Sequence, residues 1–159
     1  MLILLEGAVM CFVLLLICVV CIANGPEGGA VFHEPEVQER LMAQGRLTKE
    51  ALKRRNAVTG AALFIPLFVL VPVMVYGVNG VQGFREAFWQ MAAIQWIMQL
   101  FDRLFIDWYW VGHTKAWLIP GTEDLRPYIP RKTLIRKWMG AVIMPPAVSA
   151  LIAWIVSLF

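Results

Sequence analysis

The sequence predicts an all-α integral membrane protein: four antiparallel transmembrane helices, with an amphipathic cytoplasmic helical hairpin between helices 1 and 2. Three observations lead there. Of the 159 residues, 60% are apolar or aromatic and only 16% are charged, against roughly 45–50% and about 25% in a soluble domain. Mean hydropathy is +0.68, more apolar surface than a water-soluble fold of this size can hide. That sets aside a soluble enzyme, and a disordered chain is excluded by the same shortage of charge. Four apolar runs also reach the roughly 20 residues needed to cross about 30 Å of hydrocarbon. None alternates as a barrel strand does. Residues 1–159 therefore read as a single membrane domain.

The first span, 2–23, carries one charge, Glu6. It is expected to be a retained helix rather than a cleaved signal, because its first six residues include no Lys or Arg and do include an acid. The second span, 57–78, and the fourth, 138–159, carry no charge; the third, 87–111, carries three. Pro66 and Pro72 in the second, and Pro145–Pro146 in the fourth, each remove a backbone donor and are expected to bend their helices.

Orientation follows from Lys and Arg. The connection 24–56 carries six (Arg40, Arg46, Lys49, Lys53, Arg54, Arg55), and 112–137 carries six more (Lys115, Arg126, Arg131, Lys132, Arg136, Lys137). The short link 79–86 has only Arg85. Both termini are thus expected outside a cell membrane, with 24–56 and 112–137 cytoplasmic and drawn to anionic lipid headgroups. No nucleic-acid partner is expected, since these cations flank spans and form no recognised module. Trp108, Trp110, Trp117 and Trp138 fall at the cytoplasmic interface, and Trp89 and Trp154 at the outer one, where amphipathic rings belong. Trp96 lies mid-span and is expected to pack against another helix.

Within 24–56, Pro35 suits a first helical position, and Val37, Leu41 and Met42 recur at helical spacing before Gly45. Thr48 offers an N-cap for a helix running through 49–56 into the second span. The stretch 41–55, LMAQGRLTKEALKRR, is similar to the short helix-turn-helix motif at the ends of many bacterial membrane proteins, and this resemblance implies an aid to oligomerisation. It lacks that motif's acidic–aromatic pair after the Thr, and the residues alone read as an amphipathic helix on the cytoplasmic leaflet. In the second long connection, Pro120–Gly121, Pro127 and Pro130 break 119–130 into an irregular run.

The third span holds Gln95, Gln99, Asp102, Arg103 and Asp107. A charge near a helix centre costs about 2.5–3.5 kcal/mol on insertion scales. At 100° per residue all five share an arc of about 140°, so the arc is expected to face the bundle interior or a water-filled cavity. Arg103 can pair with Asp107 one turn away, and Asp102 is expected to find a donor on another helix. Two acids and one Arg leave a surplus of negative charge, to be removed by protonation, a bound cation or a nearby Lys.

These five residues are the candidate pocket for binding or translocating a small polar solute, ion or proton. His113, Lys115, Glu123, Asp124 and Arg126 form a possible cytoplasmic rim. The rival is an enzyme acting on lipid headgroups at that rim, which needs acid and base within reach of one substrate. A non-catalytic accessory subunit of a larger membrane complex is the third reading. Four spans without an internal repeat suggest a homo-oligomer or a partner membrane subunit. No metal is expected: neither His33–Glu34–Glu36 nor Asp102–Asp107–His113–Glu123 has a zinc-ligand spacing. Cys18 and Cys21 form a C-x-x-C, but with only Cys11 besides they read as small packing residues. Neither a phosphate-cradling loop nor a G-x-S-x-G nucleophile is present.

Overall fold

The computed structural model describes residues 2–158; Phe159, the last residue of the fourth expected span, and Met1 lie outside them. The described chain is all-α. Helix α1 is Leu2–Ile22, α2 Pro35–Ala43, α3 Lys49–Val78, α4 Phe84–Phe101 and α5 Arg131–Val156. Helix α4 runs on without a break as a π-helix, Asp102–Val111. Short 3-10 turns occupy Pro26–Phe32 and Glu123–Leu125. Three helices, α1, α3 and α5, are long and apolar enough to cross a membrane. The third expected span is helical but is not among the three, because Gln90, Gln95 and Gln99 and the charges of Asp102, Arg103 and Asp107 dilute its apolar character.

Helix starts follow local chemistry. Thr48 caps α3 by accepting from the Ala51 N–H at 3.1 Å, so the helix enters its apolar stretch eight residues after its first turn begins. Pro35 opens α2, and Gly45, at φ +70°, ends the run that follows it. Pro130 precedes α5, which begins at Arg131 rather than at 138 and so makes the basic residues up to Lys137 helical. Pro66 and Pro72 widen α3 rather than break it: Pro66–Leu70 and Val73–Val78 are π-helical, with the Val71 N–H reaching back to the Pro66 carbonyl.

Helix α4 packs along both α1 and α5. On α1 the buried stripe is Glu6, Met10, Leu14 and Cys18, spaced four apart. Gly7 lets α4 approach closely, since a Cβ there would lie 2.7 Å from the Ile97 side chain. Met10, Val71, Val75, Met91, Ile94 and Ile152 fill one half of the interior. Leu14, Leu41, Ile106, Trp117, Ile119 and Tyr128 fill the other. Between them along α4 lie Gln95, Gln99, Asp102 and Arg103. Outward faces are apolar, including Leu4, Phe12, Phe64, Val69, Leu104, Val142, Leu151 and Trp154, all exposed. On helices of this kind such faces imply contact with lipid.

The hairpin differs from a leaflet-bound amphipathic helix in one respect. Val37 and Leu41 of α2 are buried against the 112–137 connection instead of being offered to lipid. Arg40 pairs with Asp124 at 3.0 Å, and the Arg40 and Gln44 side chains donate to the Gly121 carbonyl. The two long connections thus form one layer.

Candidate functional site

The polar arc divides on folding. Gln95 is buried and donates to Ser149 Oγ of α5 at 3.0 Å, joining two helices. Gln99 and Asp102 line a cleft of about 210 Å³ between α1, α3 and α4. The expectation that Asp102 finds a donor on another helix is not met: it pairs with its neighbour Arg103. From Asp102 onward the chain is π-helical, so 100° per residue overstates the turn and the extrapolated arc no longer holds.

Arg103 also pairs with Asp107, and Lys137 of α5 donates to both Asp107 oxygens, at 2.9 and 3.1 Å. The surplus negative charge is therefore met by a Lys, from a helix that begins earlier than its apolar run. Two carboxylates face one guanidinium and one ammonium, and the cluster is formally neutral. Arg103 and Asp107 are buried.

Beside this cluster is a cavity of about 230 Å³. Asp102, Arg103, Asp107 and Lys137 form one wall; His33, Phe32 and Trp117 come from the layer of connections, and Leu14, Cys18 and Leu63 from α1 and α3. His33 and Trp117 were not legible as site residues. His33 stands in the short acidic run His33–Glu34–Glu36, which has no zinc-ligand spacing. That set is apart here: Glu34 accepts from Thr133 Oγ1 at 2.6 Å, while the His33 ring stacks on Tyr128 at 4.6 Å. Among the described residues no three His, Cys, Asp or Glu side chains gather as a metal site, and the three cysteines are free thiols.

Several buried nitrogens on this cavity's lining residues have no hydrogen-bond partner among the described residues: both ring nitrogens of His33, Arg103 Nε and Trp117 Nε1. Burial and the Lys137 charge push His33 down to about 4. The imidazole is accordingly neutral in the folded protein, whereas an unfolded chain takes up the proton near 6.5. Stability should therefore fall as pH drops from 6.5 toward 4, because the unfolded state binds the extra proton. Glu27 is held low by its own backbone N–H and by Arg46, and Asp124 by Arg40; both lose their stabilising effect mainly below that window. Thermal unfolding followed across the window should lose this slope in His33→Phe; an unchanged slope would assign it to other groups.

The expected rim is only partly assembled. Asp107, His113 and Arg126 line a second cavity of about 530 Å³. His113 Nδ1 is 2.6 Å from the Trp108 carbonyl, and Arg126 donates to the Gly112 carbonyl. Glu123 instead accepts from the Gly121 N–H and Asp124 pairs with Arg40, while Lys115 does not line either cavity. Comparison with protein-family models, curated proteins and solved structures finds no match to this chain.

Proposed function

We propose that this chain is a four-span membrane protein, termini outside and long connections cytoplasmic, which binds a small polar solute in the cavity beside Asp102, Arg103, Asp107 and Lys137. One observation carries the reading: three residues with buried, unpartnered nitrogens, His33, Arg103 and Trp117, all line one cavity. A buried polar group left unsatisfied costs about 1–3 kcal/mol. A guest bearing acceptor oxygens would satisfy the Arg103 and Trp117 N–H groups once those side chains turn toward it, and the imidazole lines the same space. At about 230 Å³ the space is smaller than the roughly 300–1,000 Å³ typical of drug-sized ligands. The balanced charge of the cluster favours a neutral or weakly anionic solute over a bare cation or a proton relay.

The fourth span in this reading is α4 with its π-helical continuation. Its outward side carries Trp89, Leu100, Leu104, Phe105 and Trp108, all exposed, while its polar side turns toward α1 and α5. That division suits a helix with lipid on one face and protein on the other.

Fluorotryptophan-labelled protein in lipid nanodiscs tests the binding claim, with the Trp117 signal assigned through Trp117→Phe. Acetate, formamide, urea and glycerol are titrated as probes. At least one is expected to move the Trp117 fluorine resonance saturably, and the shift should vanish in Val111→Phe, which fills the cavity. A resonance that no probe moves, or that moves equally in the filled protein, would overturn the reading.

A further inference from the structure

A separate recess lies where the connection 24–56 meets the apolar helices, and it shares no lining residue with the solute cavity. The turn Pro26–Phe32 folds back onto the end of α1 so tightly that a Cβ at Gly28 would lie 1.7 Å from the Cys21 carbonyl oxygen. Between that turn, the end of α1 and the early turns of α3 is a cleft of about 550 Å³. Arg46, Arg54, Arg55 and Thr59 supply its polar side, and Val20 and Val58 its apolar side.

The three guanidiniums are not equivalent. Arg46 is committed to Glu27 and to the Pro120 carbonyl. Arg55 gives Nη1 to the Glu27 carbonyl at 3.0 Å and keeps the rest of its fork open. Arg54 donates to no protein group among the described residues. Glu27 is the one acid on the lining; its own backbone N–H and Arg46 keep it ionised. Three cations and one anion leave a net formal charge of +2. Planar guanidiniums match phosphate oxygens better than point charges do.

The apolar side extends away from the cations. Val20 is 70% exposed and Val58 63%. Leu16, one turn before Val20, and Ile65, two turns beyond Val58, are exposed as well and carry the same faces along α1 and α3. A cationic recess opening onto two apolar helix faces fits an amphiphile with a phosphate at one end. We propose that this cleft holds the phosphate of an anionic phospholipid, gripped by Arg54 and the open edge of Arg55, with an acyl chain along Leu16–Val20 and Val58–Ile65. Basic pockets between helices at this level are a general means of holding such headgroups.

The test uses the full chain in nanodiscs made from an equimolar mixture of phosphatidylglycerol and phosphatidylcholine, then released into mild detergent for native mass spectrometry of retained lipid. Phosphatidylglycerol should be retained preferentially. That preference should fall roughly 10- to 30-fold in Arg54→Gln/Arg55→Gln, from about 1 kcal/mol per cation. Lys49→Gln/Lys53→Gln, with the same charge change on the same helix but outside the cleft, should retain it. Equal losses in both double variants would mean general surface attraction and sink the site, as would retention unaffected by the Arg changes. Millimolar inorganic phosphate should not displace the lipid; displacement would reassign the cleft to a soluble anion and overturn the lipid proposal.

Discussion

Replacing Arg103 by Met should destabilise the protein by about 3–5 kcal/mol, the range for removing one partner from a buried ionic cluster. Arg103 is 7% exposed and bridges Asp102 and Asp107. Without it, two carboxylates face one ammonium, and Lys137 reaches only Asp107. Asp102 is then left with no cation, and that isolated charge is the main part of the loss. The double variant Arg103→Met/Asp102→Asn retains the Asp107–Lys137 pair and restores neutrality, so it should recover most of the deficit. Arg103→Met/Lys137→Met should be worse than the single change. Unfolding in mixed micelles, followed by circular dichroism, measures all three. A single-variant loss below about 1 kcal/mol, or no recovery in the double variant, would show that the four groups do not act as one electrostatic unit.

The parts of this fold that could be read in the sequence are those set by neighbouring residues. Thr48, Pro35 and Gly45 act on groups within a few positions of themselves, and their roles appear in the structure as their types suggest. The Arg103–Asp107 pair is one turn long and was legible for the same reason. Asp102 was not, because the nearest guanidinium is its own neighbour once the helix widens to π geometry. Pro66 and Pro72 signalled a disturbed helix but not the form it takes. The cavity was least legible of all. Its walls come from α1, the turn after it, α3, α4, α5 and both long connections, and nothing in local spacing joins His33 to Asp107 or Trp117. Lys137 stood out only as one basic residue among six in its connection. Its part in the cluster follows from α5 starting at Arg131, which Pro130 permits and hydropathy does not reveal.

Trp117→Ala should cost a similar amount, about 3–5 kcal/mol, but at a different place in the molecule. Trp117 is 1% exposed and meets Trp110 edge-on at 5.4 Å and Phe32 at 6.0 Å. Gly29 lies so close to the ring that a Cβ there would approach it to 2.6 Å. Deleting the indole therefore opens a hole where the two connections and α4 meet, and the tight glycine turn cannot easily collapse into it. The opposite half of the interior, built on Met10, Val75, Met91 and Ile152, does not include this ring. The long helices should keep their far-ultraviolet signal while the layer of connections loosens, since stability is distributed locally in this way. Trypsin should then cut faster at Arg40, Arg46 or Lys49 in Trp117→Ala than in the parent, with Trp117→Phe between them because a smaller ring still meets Phe32 and Trp110. Equal cleavage rates in all three would mean that the layer is held by the Arg40–Asp124 pairing and its neighbours alone. The indole would then be free to serve the cavity without also holding the layer together.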